Sequence, residues 1–171
     1  MDARHVTAEQ VWAWLDEVSD PEIPVISVVD LGIVRDVAFE GGECVVTITP
    51  TYSGCPAMQV IEEAVAAELK KRGLPRVKVR SQLSPAWTTD WMSDAGRAAL
   101  KGYGIAPPAQ QAIDISGLHS RVSRRAPEPE VACPRCGSKH TQLTSQFGST
   151  PCKALYKCLD CREPFDYFKC H

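Results

Sequence analysis

The sequence predicts an α+β fold in which a small sheet is covered by helices, followed by a small cysteine-rich C-terminal module. Signals for a helix, a hairpin, a second helix and a further strand follow one another in residues 1–103, an order typical of helices packed on one small sheet. Residues 104–131 are rich in Pro, Gln and Arg and predict a linker. Residues 132–171 carry two Cys-x-x-Cys pairs. A chain of 171 residues is long enough for one domain and a small module.

The first helix is predicted directly after Thr7. Thr7 and Gln10 have the spacing of a capping box. Val11 and Leu15 then begin an apolar pattern at helical spacing, which ends before Pro21. We expect a helix of about three turns.

A hairpin and a second helix are predicted next. Strands over 33–40 and 43–50 are rich in β-branched residues, and Gly41-Gly42 between them is a strong signal for a two-residue turn. The remaining predicted elements are a helix that opens at Cys55-Pro56 and ends before Gly73, a third strand over 77–83 and a short helix over 93–101. No apolar run approaches the length of a membrane helix, so no membrane contact is expected.

The two cysteine pairs predict a metal site in a zinc-ribbon-like module. Each Cys-x-x-Cys loop can direct two sulfurs at one ion about 2.3 Å away, and two loops complete the tetrahedron that zinc prefers. The alternatives are disulfides or thiols that bind nothing. Disulfides need an oxidising compartment, and because no apolar signal segment precedes the first helix, a cytoplasmic location is expected. The predicted zinc ligands are Cys133, Cys136, Cys158 and Cys161.

Four further cysteines have no such pattern, and of these Cys44, in an alternating strand, is expected to be structural. Cys152 and Cys170 are surplus soft ligands that could form a second site, replace a member of the first set or act as plain thiols. Cys55 follows Gly54 at a predicted helix start, where free N–H groups and the helix dipole favour a thiolate. Such a thiolate could attack a substrate or bind soft iron, but a buried cysteine can also pack as a small apolar residue. The residues alone leave both interpretations open.

Three motifs occur in a fixed order: Asp-Pro-Glu-Ile-Pro at 20–24, Asp-Leu-Gly-Ile-Val at 30–34 and Thr-Pro-Thr-Tyr-Ser-Gly-Cys-Pro at 49–56. Together they resemble the small domain shared by cytosolic iron-sulfur targeting factors and bacterial iron-sulfur assembly accessory proteins. Further segments, at 84–93, 104–108, 147–155 and 164–170, are similar to the PaaD family of bacterial phenylacetyl-CoA epoxidase systems. The resemblance therefore covers nearly the whole chain. That family more often has a small residue where Pro151 stands, and an aliphatic end in place of His171.

The resemblance implies an accessory or maturation factor for the multicomponent phenylacetyl-CoA epoxidase of aerobic phenylacetate degradation. Such a factor would assist assembly of an iron-sulfur or di-iron centre, with the other epoxidase subunits as partners. Cys55 would hold transferable iron or a cluster, and the zinc module would serve folding and docking. Supporting roles would fall to Asp20, Glu22, Thr51 and Gly54. The residues agree with an accessory role. None of the 4 His stands in the Glu-x-x-His pair of a di-iron site, and the Gly-x-Gly-x-x-Gly motif of a dinucleotide site does not occur. No catalytic residue is therefore assigned.

Two other functions would also use the cysteine-rich module. A structural or electron-transfer subunit of the same complex would carry redox-active iron on the four cysteines. A nucleic-acid-binding ribbon would use the net charge of +4 in residues 121–171 and the nearby aromatic rings. Residues 1–120 carry a net charge of −6, however, and Glu163 and Asp166 lie among those rings, which disfavours nucleic acid. The sequence leaves a homodimer open.

Overall fold

The computed structural model describes residues 6–108 and 129–169, which form two small sheets with helices packed on the first. We number the helices and strands in chain order. The first part contains α1 (Ala8–Leu15), β1 (Val34–Glu40), β2 (Glu43–Ile48), α2 (Met58–Lys71), β3 (Val77–Ser81) and α3 (Asp94–Tyr103). The second sheet is built from β4 (Ile105–Ala106), β5 (Thr141–Ser145), β6 (Lys153–Cys158) and β7 (Pro164–Phe168). The predicted α+β fold class is confirmed.

The first sheet has the order β1-β2-β3, with β2 in the centre. β1 and β2 are antiparallel and β3 is parallel to β2, as the crossover through α2 permits. Gly41 and Gly42 have φ of 57° and 79°, the positive values that a type I′ hairpin turn requires. Val46 and Ile48 of β2 are fully buried, and Leu69 of α2 is buried in the same core. The apolar faces of α1 and α2 therefore cover this sheet.

The first helix begins where the sequence predicts. The Thr7 hydroxyl accepts a hydrogen bond from the Gln10 backbone N–H at 3.3 Å, and the Gln10 side chain accepts one from the Thr7 N–H at 3.1 Å. This is the predicted capping box. The helix ends at Leu15, and tighter turns follow, since the Val18 N–H donates to the Leu15 carbonyl at 3.0 Å.

The second helix begins three residues later than predicted, at Met58. The segment before it forms turns, in which the Cys55 N–H donates to the Tyr52 carbonyl at 3.1 Å. The prediction that Cys55-Pro56 opens the helix is therefore wrong. The Met58 N–H donates to the Cys55 carbonyl at 3.4 Å, so residues 55–58 form a turn, and the helical bond from the Ile61 N–H to the Ala57 carbonyl follows it.

The second sheet has the order β4-β7-β6-β5, and β4 comes from the segment predicted as a linker. Ile105 pairs with Asp166 and Ala106 with Tyr167 in a parallel ladder. Ile105 and Ala106 are buried, so residues 104–106 belong to the packed structure. The linker prediction of 104–131 is corrected at this end, while residues 109–128 lie outside the described ranges.

The two sheets meet through apolar contacts. Cys152 and Phe168 of the C-terminal part are buried in the same core as α1, α2 and the first sheet. The rings of Trp87 and Phe168 meet edge-on with centroids 5.9 Å apart, and the Trp87 indole N–H donates to the Leu31 carbonyl at 3.0 Å. A second, smaller core lies inside the second sheet. In residues 6–108 and 129–169, no helix combines the length and apolarity needed to cross a membrane.

Candidate functional site

The four cysteines of the two Cys-x-x-Cys pairs lie together. The Sγ atoms of Cys133 and Cys161 are 3.8 Å apart, those of Cys136 and Cys158 are 3.6 Å apart, and all four lie within 4.8 Å of one another. Four thiolates bonded at about 2.3 Å around a tetrahedral ion have sulfurs about 3.8 Å apart. The donor set therefore fits one tetrahedral ion. Among the residues that the structure describes, no other group of three or more His, Cys, Asp or Glu converges so closely.

The two loops that carry these sulfurs have the same backbone design. The Cys133 N–H donates to the Ser138 carbonyl at 2.8 Å, and the Cys158 N–H donates to the Glu163 carbonyl at 3.0 Å. The residue after the second cysteine of each pair has positive φ, which is 75° at Gly137 and 67° at Arg162. Because only glycine adopts this conformation freely, Arg162 is a strained position that the second loop requires.

Hydrogen bonds act differently on these sulfurs: at Cys136 and Cys161 backbone N–H groups favour the thiolate, but contacts with neighbouring cysteine sulfurs outweigh them and the pKa is raised. The backbone N–H groups of Cys161 and Asp160 lower the pKa of the Cys158 thiol to about 7, against the opposing effect of burial. The Asp160 carboxylate accepts a hydrogen bond from the Ser138 hydroxyl and lies 3.1 Å from Nδ1 of His140. These contacts join the two cysteine loops on the surface side of the cluster. A thiolate is the form that binds metal, so the lowered pKa of Cys158 favours ligation.

A second group of reactive side chains lines a small cavity between the first domain and the second sheet. The cavity holds about 10 Å³, roughly the space of one water molecule. Four residues proposed from the sequence line it, namely Asp20, Glu22, Thr51 and Cys55. Cys152, whose role the sequence left open, lines it as well. The lining consists of Asp20, Glu22, Ile23, Leu31, Ile33, Thr51, Cys55, Cys152 and Phe168. Gly54 is not part of this lining and is exposed beside the Tyr52 ring.

The side chain of Asp20 stabilises the turn that carries Glu22 at the cavity. Its Oδ1 accepts hydrogen bonds from the backbone N–H groups of Glu22 and Ile23, both at 2.8 Å. The side chain is buried, and burial raises the pKa of the carboxyl in spite of those two bonds. Asp20 therefore fixes the backbone from which Glu22 projects.

Cys55 is a half-buried thiol on the cavity wall. Burial raises its pKa, a hydrogen bond with the Ala57 backbone N–H opposes that rise, and the carboxylates of Glu22 and Asp20 add to it. Of the two interpretations that the residues leave open, this raised pKa favours the protonated thiol in the protein without a bound cation, because the sulfur is half-buried and faces negative charge. A cation in the cavity would reverse this balance, since it stabilises the thiolate directly.

Cys152 enters the cavity from the start of β6. Its thiol donates to Oε2 of Glu22 across 3.8 Å and lies 3.0 Å from the Thr150 hydroxyl. Burial raises the pKa of Cys152 to about 11. No spacing pattern predicts this placement, because Glu22 is 130 positions away along the chain. Cys170 lies outside the described residues.

The fold and these two cysteine groups define a class, an iron-sulfur assembly-type α+β domain followed by a four-cysteine ribbon. Residues 8–81 match the model of a family described as iron-sulfur cluster assembly protein, and residues 118–169 match that of the PaaD zinc beta ribbon domain. A protein of Escherichia coli, provisionally named as one of the subunits of 1,2-phenylacetyl-CoA epoxidase, is 50% identical over 161 residues, covering 94% of this chain and 92% of that protein. The chain belongs to this PaaD family.

Other similar proteins match a little more than half of the chain. A protein of Porphyromonas gingivalis named Fe-S protein maturation auxiliary factor is 38% identical over 96 residues, which are 55% of this chain and 90% of that protein. The crystal structure of a domain of unknown function, DUF59, from Bacillus anthracis superposes with a TM-score of 0.50 at 31% identity. The match covers 54% of this chain and 90% of the Bacillus anthracis chain. The resemblance stated from the sequence motifs is thus confirmed.

Proposed function

We propose that this chain is an accessory maturation factor for the multicomponent phenylacetyl-CoA epoxidase of aerobic phenylacetate degradation. In this role it assists assembly of an iron-sulfur or di-iron centre in the other subunits, which are its partners in the cytoplasm. The observation that carries the proposal is the position of Cys55, whose thiol shares a small cavity with Glu22 and Asp20 in a domain of the iron-sulfur assembly type. The names of the relatives, an epoxidase subunit and a maturation factor, support the same role.

Iron is the cargo of this proposed site. Thiolate sulfur binds soft or borderline metals, and a carboxylate adds a harder oxygen ligand of the kind that ferrous iron also accepts. Cys55 is partly exposed, so an incoming protein or metal donor can reach its sulfur. A site with few protein ligands holds its ion less tightly than a four-thiolate site, which suits a step that ends in transfer.

Zinc is the proposed occupant of the four-cysteine site. Four thiolates at these distances suit its tetrahedral preference, and its ligation supplies folding free energy to a module with a small core. Zinc has no accessible change of oxidation state, so it would keep Cys133 and its three partners in place without passing electrons. The ribbon then acts as a folded module for docking.

A structural or electron-transfer subunit is the second candidate, because the Escherichia coli relative is named as a subunit of the epoxidase. In that case iron on the four cysteines would give a thiolate-to-metal absorption that bleaches on reduction. A purified protein that is colourless and contains zinc argues for the maturation role.

The test is a Cys55→Ala variant, expressed with the partner subunits in cells whose iron supply is limiting. We expect a partner epoxidase with lowered iron content and lowered activity, while the variant itself stays folded with its zinc. Cys44→Ala is the matched control, since Cys44 is buried in β2 and does not line the cavity. Partner subunits with a normal iron content in the Cys55→Ala cells would contradict the proposal.

A further inference from the structure

Two thiols from distant parts of the chain line the same cavity. Cys55 belongs to the turn before α2, and Cys152 precedes β6 in the ribbon. The carboxylate of Glu22 lines the same cavity, and its Oε2 is 3.8 Å from the Cys152 sulfur. The proposed role of Cys55 leaves Cys152 unused. The position of the Cys152 sulfur in the cavity therefore needs an explanation of its own.

The backbone holds Cys152 in a fixed position. The Cys152 carbonyl accepts a hydrogen bond from the Lys169 N–H at 3.0 Å, and the Lys153 N–H donates to the Thr150 carbonyl at 3.0 Å. The side chain of Cys152 is only 4% exposed and packs in the core of the first domain. Phe168, on the neighbouring strand, is anchored against Trp87 in the same core. The ribbon therefore presents this sulfur to the cavity on a rigid support.

The Cys152 sulfur and the Glu22 carboxylate are spaced for one metal ion, and Cys55 lines the same cavity, although the three donors stand less close together than the four ribbon cysteines. A thiolate bonded at about 2.3 Å and a carboxylate oxygen at about 2.1 Å on one tetrahedral ion lie about 3.6 Å apart. The observed separation of 3.8 Å between the Cys152 sulfur and Glu22 Oε2 is close to that value. The cavity volume of about 10 Å³ matches a single ion or water molecule. Two sulfurs and one carboxylate form a mixed ligand set that ferrous iron accepts.

We propose that Cys152 supplies a second thiolate, together with Cys55 and the Glu22 carboxylate, to a ferrous ion held between the first domain and the ribbon. This inference rests on the proposed function, in which iron is the cargo at Cys55. Each thiol releases one proton to solvent when it binds the ion, and no electron transfer is involved. The ribbon then has a part in the iron site itself, because its folding places Cys152 beside Cys55.

The experiment uses the full chain with zinc in place, to which ferrous iron is added under anaerobic conditions. X-ray absorption at the iron edge counts the sulfur ligands, and titration against a competing chelator gives the affinity. We expect two sulfurs on iron in the natural protein, and one in Cys152→Ser and in Cys55→Ser. Each of these variants should weaken iron binding at least about tenfold, since even the loss of a residue that only orients a metal ligand costs 10–100-fold. Cys44→Ser should match the natural protein, because Cys44 lies outside the cavity.

One sulfur on iron in the natural protein would overturn the inference, as would the absence of iron binding by the zinc-loaded chain. So would a Cys152→Ser variant that binds iron with two sulfurs and unchanged affinity. Because the sulfur count is made on the natural chain, the test holds even if a variant at buried Cys152 fails to fold. If Cys55→Ala still lowers partner iron in cells while Cys152 proves not to be a ligand, the proposed function stands and only this inference fails.

Discussion

The same side chain has different chemistry at each of the cysteine positions, and its neighbours decide which. At Cys158, backbone N–H groups lower the thiol pKa to about 7, whereas burial raises the pKa of Cys152 to about 11. Cys44 is packed in β2, and burial raises its thiol pKa as well. The neighbours of each sulfur therefore set its pKa: backbone N–H donors favour the thiolate at Cys158, whereas burial disfavours it at Cys44 and Cys152.

Residue type and spacing predicted part of the site. The repeated Cys-x-x-Cys spacing was enough to group four sulfurs that the structure brings within 4.8 Å of one another. The sequence could not decide between a thiolate and a buried thiol at Cys55, since the choice depends on burial and on the nearby carboxylates of Glu22 and Asp20. The place of Cys152 could not be predicted, because it depends on how β6 packs against a turn 130 residues earlier.

Loss of one proposed zinc ligand tests the role of metal in the ribbon. Cys136→Ser or Cys158→Ser should remove one metal equivalent and unfold the ribbon over residues 132–169, while residues 6–100 stay folded. The reason is that ligation supplies on the order of 10 kcal/mol of folding free energy to such a module at neutral pH. Metal analysis and hydrogen exchange measure the two effects, with Cys44→Ser as the control. Full metal content and an unchanged ribbon in both variants would contradict the ligand assignment.

At the scale of helices and strands, local signals placed most elements and missed those that depend on distant partners. The capping box fixed the start of α1, and the two glycines fixed the hairpin between β1 and β2. β4 was missed because its two residues, Ile105 and Ala106, stand before two prolines and pair only with β7, about sixty positions later. A short strand of this kind forms because a partner strand pairs with it, and its own residue pattern does not predict it.

Helix α3 supports the loop that carries the Asp-Leu-Gly motif, and two of its glycines test this contact. The Ser93 backbone N–H donates to the Asp30 carbonyl at 2.9 Å. A Cβ atom at Gly96 would lie 2.9 Å from that carbonyl oxygen, whereas one at Gly102 would meet nothing within 4 Å. Close backbone packing, not helical geometry, therefore explains the glycine at 96.

We expect Gly96→Ala to lower the free energy of unfolding by about 1–3 kcal/mol, because the added methyl group overpacks the contact with the loop. Gly102→Ala, its control on the same helix, should raise it by up to about 1 kcal/mol, because alanine has the better helix propensity. Urea unfolding measures both changes. A free energy of unfolding that rises in both variants would show that α3 does not pack tightly on this loop.

For the whole molecule, the ribbon and the first domain are joined by apolar packing and by the shared cavity. Residues 1–120 and 121–171 carry opposite net charges, yet the ion pairs within the described residues each join two residues of the same part. Trp87, Phe168 and Cys152 make the contact instead. An apolar contact of this kind persists at high salt, where surface charge attraction is screened. The iron site proposed between the two parts would then not depend on ionic strength for its geometry.

The central claim is that this chain helps to build the epoxidase and does not take part in its turnover. The most direct measurement is the epoxidase activity of partner subunits, purified with their metals already in place, with and without this chain. We predict equal turnover in the two assays, and a need for this chain only when the partner subunits start without their metals. Metal-loaded subunits that still require stoichiometric amounts of this chain in every assay would contradict the claim and make it a working subunit of the complex.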